Sequence, residues 1–590
     1  MAKKNTIIRS LPSVETLGST TVICSDKTGT LTQNQMTVER IFDGKEVFTV
    51  TGTGYETKGS ILKGEDAVTH PHDALRRILH IGALCNESVV VHKNGKVEIS
   101  GDPTEGALII VAGKAGIHQQ DIIKEQNHLD MIPFKSGTNY MATLHEVDGE
   151  KIIYVKGSPE VLAELSYKGD RASPHAYVKQ AEQFARDGLR VLGMAYKIVP
   201  KNTTSITEDD IKHLTMCGLQ GMMDPPRVEA MQAIRSCQHA GIRVIMITGD
   251  HAVTARAIGA KMGICEHTST VITGVELEEM SDAELYAKVK EVSVFARVSP
   301  NHKLRIVNQL MKQGEVVAVT GDGVNDAPAL KAAHLGIAMG KSGTDVAKEA
   351  ANMVIRDDNF ATIFQAVYEG RVVFDNIRKA VAFLIPTGFA AIITILVTII
   401  MGTPPPYLAV QLLWINLIAS GIQDVALAFE PGDRHLLRQS PRDPDEGIMS
   451  RTLLHRSILV GVVISVGVLF VYFYSLGKGM ELAQAQTLAV TTMVFFQFFQ
   501  VLNSRSERES VFTMSPFSNK LLFFGLFGSM IAHLLVLYVP SLEWLFSMKP
   551  ITSSQWALII SVASSIILVV EMDKSIVRAR RELAVKKLML

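Results

Sequence analysis

Two hydrophobic patterns divide the chain near residue 380. Before that point the apolar positions come in short β-branched runs, separated by stretches of helical period. None of these runs is long enough to cross a bilayer. The run STTVICSD (19–26) predicts a buried strand that ends in a polar loop, and IRVIMITGD (242–250) and EVVAVTGD (315–322) repeat the design. Each is followed by a helical pattern, which predicts a parallel α/β sheet. Between the first and the second lies a long segment with its own strands (KIIYVKG, LRVLGMAYKIV) and helices, expected to be an inserted domain. The expected division is 1–43 and 216–370 for the α/β domain, 44–215 for the insert and 371–590 for a membrane domain.

Beyond residue 380 six apolar stretches follow one another, at roughly 380–402, 408–428, 457–476, 485–502, 521–540 and 555–572. Each approaches the ~20 residues that cross ~30 Å of hydrocarbon. The fourth is the most polar and carries Gln497 and Gln500. Basic residues gather in alternate loops: Arg371, Arg378 and Lys379 before the first span, Arg442, Arg451 and Arg456 between the second and third, Arg505, Arg508 and Lys520 between the fourth and fifth, and Lys574, Arg578 and Arg580 after the sixth. The other loops are nearly bare of them, so the N- and C-termini are both expected in the cytoplasm. The mean hydropathy of +0.19 fits such a mixed chain. Lys plus Arg and Asp plus Glu both total 59, which gives no support to nucleic-acid binding. Five cysteines without CxxC spacing argue against a disulfide framework or a zinc site.

The candidate chemistry sits at three strand ends: CSDKTGTLT (24–32), ITGD (247–250) and VTGDGVNDAPAL (319–330). In open parallel sheets ligands bind at the carboxyl ends of strands. The loops are therefore expected to gather Asp26, Asp250, Asp322 and Asp326. So dense a negative charge calls for a cation, and Mg²⁺ prefers carboxylate oxygens completed by phosphate and water. A nucleophilic carboxylate attacking a phosphoryl group, with Mg²⁺ and a lysine offsetting charge, makes a coherent site, and Lys303 in FARVSPNHKLRIV is the candidate lysine. One such Asp alone is more simply a helix cap; the seven-residue DKTGTLT run is far more specific.

Taken together, DKTGTLT at 26–32, KGSPE at 156–160, DPPR at 224–227, TGD at 248–250 and TGDGVNDAPAL at 320–330 resemble, in order, the signature set of the P-type cation-transporting ATPases. The resemblance implies an α/β haloacid-dehalogenase-like (Rossmann-like) phosphorylation domain, an inserted α+β nucleotide-binding domain and an all-α membrane domain of six helices. It implies ATP-driven cation transport through an aspartyl phosphate, with ATP and Mg²⁺ required. By motif, Asp26 is the phosphate acceptor; Thr28 and Asp322 join it around Mg²⁺; Asp326 supports that site; Lys303 and Asn325 face the transferring phosphoryl group; and Thr248, Gly249, Asp250 and Arg297 contact phosphate or nucleotide. Glu105, Phe134, Lys156 and Arg190 line the adenosine pocket, with Phe134 stacking on adenine. Phosphatases of the superfamily usually carry a second Asp two residues after the nucleophile. Here that residue is Thr28, which implies slower water attack and a longer-lived aspartyl phosphate. After Phe134 the run KSGTNYM lacks the basic residues that many relatives have there.

In the membrane half Asn416, Asp424 and Gln497 are the candidate ion-path residues, and Pro386 is expected to unwind the first span. The positions matching an Asn and a Glu of calcium pumps are Gly388 and Ala391, and a Thr-Asp pair falls at Ala419 and Ser420. The chain has no TGES run, and its first residues resemble the link that follows a fourth membrane helix in the family. The expectation is a catalytic and C-terminal membrane portion in the plasma membrane. A separate N-terminal chain would supply an actuator domain and four helices. The alternatives are a truncated fragment that binds ATP and autophosphorylates without transport, or a non-transporting membrane regulator.

Overall fold

The computed structural model describes residues 4–10, 12–55, 58–93, 96–433, 436–437, 439–443 and 446–589. The chain forms two compact units. One takes residues up to 366 apart from 14–19, and the other takes 14–19 and everything from Val367 on.

The first unit is built on two sheets. The strand VICS is buried along its length because it lies in the middle of an eight-stranded sheet. Val317–Gly321 pairs with it on one side and Arg243–Ile247 on the other, both parallel. Leu335–Met339 and Val294–Ala296 extend the sheet outward, again in parallel. Thr6–Ile8 joins one edge antiparallel to Met353–Ile355. Helices cover both faces, so the strands read as continuous apolar runs rather than alternating ones. Three neighbouring strands thus end side by side, and their last residues lead into the three acidic loops.

The second sheet is antiparallel apart from the short strand Ser166–Gly169, which runs parallel beside Leu214–Met223, and it accounts for most of the segment between the first two of those strands. It enters at Thr37–Phe42 and leaves at Leu214–Met223, adjacent strands with Thr37 opposite Met223. Thr37–Phe42 lies before the edge expected at residue 44, and Leu214–Met223 runs past the one expected at 215. The helices Asp73–Leu84 and Pro103–Lys114 pack their apolar sides on this sheet.

The second unit contains six helices long and apolar enough to cross a membrane. The fourth, Leu482–Ser504, is the most enclosed, and Leu488, Met493 and Phe496 stand at the centre of the bundle core. Its polar residues are therefore interior groups, and several of them bond other segments: Gln486 Nε2 donates to the Pro405 carbonyl (2.9 Å) and Thr487 Oγ1 accepts from Lys549 N (3.0 Å). Trp414 donates to His533 Nδ1 (3.1 Å), which leaves the ring proton on Nε2, 3.2 Å from Thr491 Oγ1. The first helix is longer than its apolar run: Phe360–Ile400 is 41 residues. It passes unbroken through Pro386, contrary to the unwinding expected there. Pro386 removes one donor from the helix, while Thr387 Oγ1 donates to the Phe383 and Leu384 carbonyls one turn back (3.0 Å each). The irregularity falls instead in the second span, where Asn416–Ser420 forms a π turn.

Candidate active site

Asp26 is the last residue of its strand and leaves the buried environment of its neighbours with its carboxylate partly open. Its amide donates to Thr320 Oγ1 on the next strand (3.1 Å), and its Oδ1 accepts from Thr28 N (3.4 Å). The loop turns sharply at Gly29, where φ is +74°, a conformation that suits glycine.

Lys303 comes from the helix Pro300–Lys312, whose start is fixed by a reciprocal Ser299–His302 cap. The side chain is buried and donates to Asp326 Oδ1 (2.7 Å) and the Thr320 carbonyl (2.8 Å), with Asp26 Oδ2 at 3.7 Å. Asp326 turns its other oxygen to the amides of Asp322 (3.2 Å) and Gly323 (3.1 Å), which holds the GDGVND loop in shape. Asp250 is claimed by Lys27 (2.7 Å). The ion pairs of Asp26 and Asp326 therefore run to Lys303, and none of them reaches Asp322. Three carboxylates face one ammonium. Burial, and behind it the opposing pull of Lys303 and the repulsion of Asp326 and Asp322, leaves the Asp26 carboxyl above its usual range. Asp322 is raised by burial and by Asp326. Both shifts point to a deficit of positive charge.

That deficit, with hard oxygen donors, fits Mg²⁺. The ion takes one or two carboxylates and completes its shell with phosphate and water. Asp26 and Asp322 are the residues that would hold it, beside Thr28. Thr248 is buried and caps its own loop through Oγ1 to Asp250 N (3.1 Å). A side chain at Gly249 would meet open space. Arg297 takes positive φ (52°), and its amide bonds the Asp250 carbonyl, so it stands against the TGD loop. Asn325 is exposed on a single 3₁₀ turn.

In the inserted domain Lys156, buried on the strand Glu150–Gly157, is paired with Glu105 in the first turn of Pro103–Lys114. Glu105 also accepts from Glu87 N and Ser88 Oγ. Arg190 donates to Thr104 Oγ1 (3.2 Å) beside it. Phe134 is 54% exposed just past the strand Asn127–Ile132. The register places it at the same end of the sheet as Lys156. Lys135 is tied to Glu208 (2.9 Å) on the surface.

Three residues escaped the sequence reading. Lys27 lies within the DKTGTLT motif, but its pairing with Asp250 depends on the parallel neighbour strand. Thr320 is silent in sequence. Arg227, in the quoted DPPR, donates from Nε to the Thr32 carbonyl (2.8 Å) and from Nη2 to the Gly29 carbonyl (3.1 Å), bracing the loop that carries Asp26. Asp224 of the same motif accepts from Thr32 Oγ1 and from the Gln35 amide.

Of the membrane candidates, Asn416 is exposed at the start of the π turn. Asp424 is half-buried and bonds its neighbour's amide, Val425 N (2.6 Å). Gln497 is buried with its Oε1 unpartnered among the described residues. The side chains of Ala419 and Ser420 lie outside the described residues.

Comparison with known proteins agrees with this arrangement. Residues 74–229 match the family described as P-type ATPase, cytoplasmic domain N, and residues 404–576 match cation transporting ATPase, C-terminus. Two descriptions of haloacid dehalogenase-like hydrolases match 179–331 and 302–367. The chain is 39% identical to a calcium-transporting ATPase of Bacillus subtilis, over 96% of this chain and 65% of that one. It is 40% identical to the probable cation-transporting ATPase F of Mycobacterium bovis, over 99% of this chain and 66% of the other. It is 37% identical to the human calcium-transporting ATPase type 2C member 1, over 99% and 63%. The chain thus spans just under two thirds of the length of these relatives.

Proposed function

The chain belongs to the P-type cation-transporting ATPases and is a multi-pass membrane protein, and from that premise we propose that Asp26 accepts the γ-phosphate of ATP in a cycle that drives a cation across the membrane. An Asp26 oxygen attacks the γ-phosphorus, the bond to the bridging oxygen breaks, and ADP leaves with the electron pair. Lys303, fixed by Asp326 and Thr320, offsets charge on the moving phosphoryl group. Bound Mg²⁺ would neutralise further charge between Asp26 and Asp322. The observation that carries this reading is the imbalance of three carboxylates against one buried lysine at the end of a central strand.

Glu105, Lys156, Arg190 and Phe134 hold the nucleotide in this reading, with Phe134 as the exposed stacking surface. Residues 37–223 serve as the nucleotide domain, and the flanking parts up to 370 as the phosphorylation domain. Asn416, Asp424 and Gln497 belong to the ion path, and the π turn at Asn416 supports this because such turns loosen backbone carbonyls. A cation is the cargo by analogy with relatives named for calcium or cations. Both chain termini face the cytoplasm, and the membrane is the plasma membrane.

The test is incubation of the full chain with ATP labelled at the γ-phosphate. An acid-stable, hydroxylamine-labile label is expected, and it disappears in Asp26→Asn. Label that persists in that variant refutes the assignment.

A further inference from the structure

At one end of the six-helix bundle, where the apolar runs give way to polar sequence, the helix ends enclose a cavity of about 1320 Å³. Its wall carries Arg378 from the first span, Arg456 from the third, Arg505 and Arg508 from the segment after the fourth, and Lys574 and Arg578 from the sixth. Seven carboxylates line it as well, and four of them are engaged by bases of the wall. Asp375 is held by Lys379 (2.7 Å), Glu430 by Arg505 (2.8 Å), and Glu446 and Glu507 by Arg378 (3.3 and 3.1 Å). What remains unsatisfied is a donor. Arg456 is 8% exposed; its Nε is bound to Asp573 (2.6 Å) and its Nη1 to the Glu507 carbonyl (3.0 Å). Its buried Nη2 has no acceptor among the described residues. A buried guanidinium N–H without an acceptor is uncommon enough to point to a missing one. Arg508 and Arg578 are exposed and form no carboxylate pair among the described residues.

The acceptor that suits this wall is compact, carries negative charge and offers several oxygens, which is the character of a phosphate group. The rim suggests where it comes from. Phe512 and Phe517 are 76% and 62% exposed, each next to a wall residue, Thr513 and Ser518. Exposed aromatic rings at the end of an apolar bundle mark the level of lipid headgroups. Basic pockets between helix ends at that level suit anionic headgroups. We propose that this cavity binds a phosphate-bearing anion, presented by an anionic phospholipid of the adjacent leaflet. Arg456, Arg508 and Arg578 supply the positive charge around it.

The experiment is native mass spectrometry of the detergent-purified full chain titrated with phosphatidylglycerol, phosphatidylcholine or inorganic phosphate. One saturable phosphatidylglycerol is expected, with no saturable phosphatidylcholine. Its affinity falls about tenfold or more in Arg456→Gln and in the double variant Arg508→Ala/Arg578→Ala. The double variant alters only exposed side chains and keeps the test valid if Arg456→Gln fails to fold. Saturable inorganic phosphate that is lost in the same variants, without preference for the lipid, supports the same site with a soluble source. Phosphatidylglycerol binding that is equal in wild type and double variant, or equal to phosphatidylcholine with no phosphate binding, overturns the proposal. The readout is independent of Asp26 phosphorylation.

Discussion

In the proposed reaction Arg227 touches neither Asp26 nor the residues assigned to nucleotide, yet it should govern how fast Asp26 takes phosphate. Its guanidinium holds two carbonyls, Gly29 and Thr32, of the loop that begins at Asp26. Arg227→Ala removes both bonds and leaves those carbonyls to water. A hydrogen bond to a charged donor contributes roughly 1.5–3 kcal/mol when well buried. Because Arg227 is half-exposed, about 1 kcal/mol each is the appropriate scale after solvent screening. A combined loss of about 2 kcal/mol in the aligned loop corresponds to roughly 30-fold in rate. The assay is rapid-quench phosphorylation of the full chain by γ-labelled ATP, alongside nucleotide affinity from a fluorescent analogue. The expected result is a rate lower by that order with affinity within about twofold of wild type, and partial recovery in Arg227→Lys. A rate within threefold of wild type, or a loss confined to affinity, would refute the reasoning.

Two further outcomes follow from buried groups. His145 is buried beside His128 and Tyr154 with both ring nitrogens unpartnered among the described residues, and burial with His128 lowers its pKa to about 4. Because the folded pKa lies below the ordinary 6.5, the unfolded form takes up its proton first; stability is full above about 6.5 and falls as pH drops to about 4, by a few kcal/mol. Hydrogen exchange of the 140–157 strands across that range should show the fall, and His145→Phe should flatten it. Glu430 and Arg505 form an ion pair with side chains 3% and 2% exposed, and Asn519 donates to the same carboxylate (2.8 Å). Glu430→Gln should destabilise the detergent-solubilised chain by roughly 3–5 kcal/mol, read as a lowered thermal midpoint, whereas replacing both partners with apolar residues should cost much less.

Legibility followed the range of the interactions. The parallel strands, the six spans and the approach of the three acidic loops at neighbouring strand ends were readable, because β-branched runs, apolar length and contiguous motifs are local signals. What could not be read depends on partners remote in sequence. Lys27 meets Asp250 only because Val22–Asp26 and Arg243–Ile247 are neighbours. Arg227 reaches Gly29 across 198 positions. The intact helix at Pro386 went the other way from local expectation, and nothing local marks the π turn at Asn416. A proline predicts a missing donor, but not the hydroxyl of Thr387 that bonds the carbonyls one turn earlier. The cavity at the bundle end is equally silent, since its arginines lie on separate helices.

The paired entry and exit of the second sheet, with Thr37 opposite Met223, has a consequence for how such a protein is assembled. Opposed residues on antiparallel strands lie roughly 5 Å apart, whatever the length of chain between them. The host sheet therefore closes the same short gap whether the segment between Thr37 and Met223 is present, exchanged or cut out. Joining the two strands with a tight turn should leave the parallel sheet and Asp26 undisturbed, and the excised piece has its own core and adjoining ends. The two nested parts behave as plug and socket, so each is free to diversify without renegotiating the other's fold.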